Sequence, residues 1–287
     1  MKVIHSVILK NVSIPVNEFK LNEFIRLRRI DHDRTRLLTM GSVEDKEKFR
    51  YEGNIILAFR SLQMYLSDIQ IHLEADKEFS NGENDFIYDF LKDSASFIIN
   101  VYGSQGLDIL STSDYKRSLT ESELESLKGI HQDIIIPFNI STSEALEENN
   151  LKSNRWYYAY QQYLGSCRSI TVDESVLKII TGLEALLVKG DGLLKYKVSL
   201  YASLILEENS EDRRRIFKLI GKMYNLRSKI VHGEIESVNK MLKKPDVFEN
   251  YFELKTIFSR LLVKLFLWEE ESVFERLEEV IFKAPKF

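Results

Sequence analysis

EDRRRIFKLIGKMYNLRSKIVHG, residues 211–233, decides how the second half of this 287-residue chain is read. Ile216, Leu219, Ile220, Met223, Ile230 and Val231 recur at three- and four-residue spacing, the pattern of a helix with one apolar face. Position 227 falls inside that stripe, four after Met223 and four before Val231, and it is Arg227. A guanidinium cannot shed its charge, so against a core it needs an anionic partner. The helix pattern in ESVLKIITGLEALLVKG, residues 174–190, offers one. Its stripe of Val176, Leu177, Ile180, Leu183 and Leu187 takes in position 184, which is Glu184. A partly buried Glu184–Arg227 pair between two helices of one bundle is the expectation. Taken alone, such a pair reads equally well as a structural bridge that fixes helix register.

His232 tips the balance toward a site. It lies about 140° round the helix from Arg227 and about 7.5 Å further along the axis. Its face is shared with Asn225, Ser228 and Lys229, all polar, and Gly233 directly after it is the usual residue for closing a helix. In that last turn the negative end of the helix dipole favours imidazolium, which suits His232 to donate as well as accept a proton near neutral pH.

The same helical texture extends on both sides. Helices are expected at about 144–168, 174–188, 193–207, 211–232, 246–270 and 272–283, an all-helical bundle entered through a capping-box spacing between Ser141 and Glu144. The first 140 residues differ: KVIHSVILKNVSIPV, FIRLRRI, NIILAF and DIQIHLEA read as strands. NDFIYDFLKDSASFIINVYG, residues 84–103, and a capping-box start at Thr120 and Glu123 read as helices. The expected class is therefore α+β, a mixed α/β domain at 1–140 followed by a helical bundle at 141–287.

Composition excludes several classes. A hydrophobic fraction of 44% with 29% charged residues is that of a folded protein rather than a disordered one. Cys167 is the single cysteine, no secretory leader pattern opens the chain, and charge interrupts every apolar run short of the roughly 18 residues that span a bilayer. A reducing, cytoplasmic setting with no membrane partner is the expectation. At a net charge of −4 no global positive field advertises nucleic acid, so any such partner needs a local patch. The run Arg213, Arg214, Arg215, Lys218, Lys222, Arg227 and Lys229 could hold RNA backbone, or could be a solvated face behind the acidic first turn Glu211 and Asp212. Trp156, Tyr157, Tyr158, Tyr160 and Tyr163 could stack bases, but positions 156, 160, 163 and 167 share a stripe and read first as core.

An arginine, four residues and a histidine near a helix end, as in RSKIVHG at 227–233, resembles the R-X4-H signature of HEPN domains, and most of all their Apea-like group. The GLEALLV stretch at 182–188 and the aromatic helix RWYYAYQQY at 155–163 are similar to that group's layout, over about residues 142–287. The resemblance implies a metal-independent endoribonuclease without cofactor, used in phage defence or a toxin–antitoxin system and acting as a homodimer on RNA. In that chemistry Arg227 and His232 are catalytic and Glu184 orients Arg227, while Ser228, Lys229, Asn225 and Lys222 are the candidates for substrate contact. Many active members carry Asn, Asp or His after the arginine, where this chain has Ser228. The competing expectation is therefore a catalytically silent module that binds RNA or a protein partner, an antitoxin or another defence component.

Other signals are weaker. His5, His32, His72 and His131 have no ligand spacing with cysteine or with each other, which argues against zinc. IDHDR at 30–34 is set among five arginines and reads as a charge-balanced surface. There is no Walker loop, no G-x-G-x-x-G and no G-x-S-x-G.

Overall fold

The computed structural model describes residues 2–41, 50, 52–69, 71–79, 87–91, 116–140, 155–190, 192–266, 274, 275, 277 and 279. The chain is α+β, and these residues fall into two compact units, one drawn from residues up to 140 and the other from 155 onward. The Ser141–Glu144 capping box and the boundary expected beside it lie outside the described residues, as does most of the 84–103 helix, of which 87–91 is helical.

The first unit is built on a five-stranded antiparallel sheet. Its strands are β1 (Lys2–Leu9), β3 (Glu18–Lys20), β4 (Ile25–Arg29), β5 (Thr35–Gly41) and β6 (Leu73–Ala75), in the order β3-β4-β5-β1-β6. β2 (Val12–Ser13) pairs separately with β7 (Arg117–Ser118). Alternation sets the faces: Ile25 and Leu27 of β4 are fully buried, while Arg26 and Arg28 turn outward onto Glu18 at 2.7 and 2.8 Å. The IDHDR segment is the β4–β5 turn, where Asp31 accepts from the backbone N–H groups of Asp33 and Arg34 at 2.9 Å and pairs with the Arg34 side chain.

NIILAF is helical rather than a strand. It opens α1 (Ile55–Tyr65), where Asn54 caps the N-terminus by accepting from the Ile56 N–H at 2.9 Å. Ile55, Ala58, Phe59 and Leu62 bury one helical face against the sheet residues Val7, Leu9, Leu27 and Leu37. A run of five apolar residues carries no period that separates strand from helix, and the Asn cap decides. α2 (Glu121–Gly129) starts at the expected Thr120–Glu123 capping box and continues into a π-helical turn, Ile130–Ile135.

The regular structure of the second unit is all helical among its described residues: α3 (Arg155–Cys167), α4 (Val172–Leu187), α5 (Leu194–Leu206), α6 (Ser210–Val231), α7 (Ile235–Leu242) and α8 (Val247–Phe266). α7 falls where a plain connector was expected. Ile235, Val238, Met241 and Leu242 keep a helical spacing in it, a signal the connector reading passed over, and Val238 and Leu242 are buried. The aromatic helix α3 is core: Tyr160 and Tyr163 are fully buried, Trp156 stacks on Tyr160 at 5.2 Å, and the Trp156 indole donates to the Leu262 carbonyl at 2.8 Å. Gly182 of α4 lies against the Phe258 ring of α8, closely enough that a Cβ there would overlap it.

Candidate active site

α4 and α6 bring the two misplaced charges together. The Arg227 guanidinium donates through Nη2 to Glu184 Oε2 at 3.2 Å, with side-chain exposures of 25% and 17%. Both residues flank their helices' buried faces, so the pair sits where the core opens to solvent. The apolar stripe of α6 ends sooner than its sequence suggests. Leu226 is buried, Ile230 is half-buried, and Val231, expected in the stripe, is 54% exposed. Along its last turn and a half α6 reaches the edge of the bundle, which leaves Arg227 accessible.

A third residue completes the cluster. The Tyr224 hydroxyl donates to the second Glu184 oxygen, and the Arg227 guanidinium lies 5.7 Å from the centre of the Tyr224 ring. Burial, then the hydrogen bond to Glu184 and the charge of that carboxylate, push the Tyr224 phenol up to about 12. Tyr224 thus stays a neutral donor throughout ordinary pH. With one Glu184 oxygen held by the phenol and the other by Nη2, Glu184 fixes the guanidinium by a single donor. Arg227 Nε has no hydrogen-bond partner among the described residues. Tyr224 was not singled out in the sequence because an aromatic three residues before Arg227 looks like one more apolar stripe position.

Both helix ends that carry the site are tied down. Arg155 donates from Nε to the Ala185 carbonyl at 2.7 Å and from Nη2 to the Val188 carbonyl, so a cation closes the C-terminus of α4 one turn beyond Glu184. α6 ends in a Schellman motif: Glu234 N–H donates to the Lys229 carbonyl at 3.0 Å and Gly233 N–H to the Ile230 carbonyl at 3.1 Å, with Gly233 at φ +69°. His232 is the capping residue of that motif and is exposed. No hydrogen bond joins its ring to Arg227, Glu184 or Tyr224 among the described residues, as expected of side chains about 140° apart on one helix.

The remaining candidates separate into free and engaged. Ser228 is half-buried, with its carbonyl accepting from the His232 N–H at 3.0 Å. Lys222 is held by Asp246 at 2.5 Å and Lys229 by Glu234 at 2.6 Å, so neither is the free cation its sequence position suggested. Asn225 is exposed and accepts from Lys195 Nζ at 2.9 Å. Hydrogen bonds from Lys229 and Ser237 and the nearby His232 hold the Glu234 carboxyl below its usual range. Among the described residues no three His, Cys, Asp or Glu side chains gather where a cation could be held, and no helix is long and apolar enough to cross a membrane.

The chain matches no family model, no curated protein and no solved structure.

Proposed function

We propose that the helical unit is a metal-independent endoribonuclease of the HEPN type, with Arg227 and His232 as its catalytic pair. The observation that carries this reading is the Tyr224–Glu184–Arg227 cluster at the open edge of the bundle, in which Glu184 of α4 meets Tyr224 and Arg227 on the helix that His232 closes. In the proposed reaction the 2′-hydroxyl of RNA attacks the adjacent phosphate, and the 5′-oxygen of the next nucleotide departs. His232 moves a proton to or from the reacting oxygens, and Arg227 stabilises charge on the non-bridging oxygens. Glu184 and Tyr224 hold Arg227 in place. His232 and Arg227 point apart on one helix, so a second copy would supply the complementary half of a shared cleft. The apolar Val231 and Ile235, 54% and 68% exposed on either side of His232, suit such a contact.

Ser228 favours a second reading, in which the module binds RNA or a defence partner without cutting. Induced expression in a bacterial host separates the two. The proposal expects growth arrest that His232→Ala abolishes at equal protein level; arrest that persists in His232→Ala overturns it.

A further inference from the structure

We propose that the outward stripe of α6 from Arg214 to His232, with Lys195 and Tyr196 of α5 beside it, is the track along which single-stranded RNA reaches the site. The inference rests on the ribonuclease reading for what happens at the end of the track, but not for the binding itself. Arg214, Lys218, Gly221, Asn225, Ser228 and His232 lie within about 40° of one line along the helix, which runs about 27 Å. Arg214, Lys218, Asn225 and His232 are exposed on it.

The structure sorts the basic run of α6 into two sets. Arg215 pairs with Glu253 and Asp212, Lys222 with Asp246, Arg227 with Glu184 and Lys229 with Glu234. Arg213, Arg214 and Lys218 make no ion pair among the described residues; Arg213 donates to the Glu207 carbonyl at 2.7 Å, and Arg214 and Lys218 are the two on the line to His232. The helix dipole gives no reason for them, since near an N-terminus it favours anions.

α5 adds a third cation to the line. Lys195 passes over Gly221, its Cε 3.5 Å from where a Cβ would sit, and ends on the neutral Asn225 amide, so its charge is not cancelled. Next to it Tyr196 packs edge-on against Phe217 with ring centres 5.8 Å apart, and the Tyr196 residue is still 53% exposed. Uncancelled cations at intervals along a strip with a steadied, exposed aromatic beside them match a single strand, whose bases are free to stack, better than a duplex.

The test uses the full chain carrying His232→Ala, so that RNA is not consumed, and the fluorescence anisotropy of a labelled oligouridylate across a salt titration. Adding Arg214→Ala, Lys218→Ala and Lys195→Ala should lower the slope of log K against log salt by about 2, at about 0.7 per phosphate released from a single strand. Tyr196→Ala should weaken binding about tenfold with the slope kept. Lys10→Ala with Lys20→Ala, in the first unit, should change neither. A triple variant that binds with the parent's slope and affinity overturns the track, and so does a parent that does not bind oligouridylate. Cleavage assays with His232 restored tell the two readings apart. Binding that depends on the track without any His232-dependent cleavage removes the ribonuclease reading and keeps the track. His232-dependent cleavage at unchanged KM in the triple variant does the reverse.

Discussion

Replacing Arg227 by alanine strands Glu184, and the structure sets the size of the penalty. Fully exposed ion pairs contribute at most about 1 kcal/mol, whereas removing one partner of a buried pair costs about 3–5 kcal/mol. Here the side chains are 25% and 17% exposed, the contact is a single one at 3.2 Å, and the Tyr224 hydroxyl stays on Glu184 after the substitution. The expected loss for Arg227→Ala is therefore about 1–2 kcal/mol. Urea unfolding followed by tryptophan fluorescence reads it, since Trp156 and Trp268 both lie in the second half of the chain. Adding Glu184→Gln removes the stranded charge, so the double variant should lose less than the two single losses combined, with a coupling of about 1 kcal/mol. An Arg227→Ala protein with the wild-type midpoint, or strictly additive losses, would refute the ion pair as an energetic unit.

Further expectations come from elsewhere in the fold. His131 is fully buried in the first unit, with Ser61 and Asn22 on its two ring nitrogens at 3.0 and 3.2 Å, and burial lowers it from 6.5 to about 4. The folded state therefore resists protonation that the unfolded chain accepts, so its stabilisation is complete above about pH 6.5 and falls by roughly 3 kcal/mol as pH drops toward 4. Amide exchange of α1 across that range checks it, and a profile that His131→Gln leaves unchanged would contradict it. Gly182→Ala should cost about 1–3 kcal/mol, because the added Cβ would stand 2.9 Å from Cε1 of Phe258; a wild-type melting point would show that the helices yield more easily than the packing implies. Gly233→Ala should cost about 1 kcal/mol through its positive φ, while Gly233→Asn should be milder, as read by thermal melts of the two variants.

The sequence made Glu184 and Arg227 legible because each breaks an apolar stripe of known period, and a helix period places such a break on a face. Tyr224 was hidden because it does not break the stripe: its ring belongs to the core and only its hydroxyl belongs to the site. The basic run was legible only in part, for a different reason. Asp246 and Glu253, which cancel Lys222 and Arg215, come from separate segments of the chain, and nothing local announces those encounters. The strand reading of NIILAF failed because its apolar run is too short to hold a period, whereas α7 was passed over although Ile235, Val238, Met241 and Leu242 hold a helical spacing. Where α6 leaves the bundle was likewise invisible, since Ile230 and Val231 keep the apolar spacing after the neighbouring helices have ended.

Incubation of purified protein with total RNA and with transfer RNA in excess EDTA, beside His232→Ala, tests the central claim most directly. The account expects cleavage that survives EDTA, leaves 2′,3′-cyclic phosphate ends and disappears in His232→Ala. Cleavage that EDTA abolishes, or that His232→Ala retains in full, would contradict it.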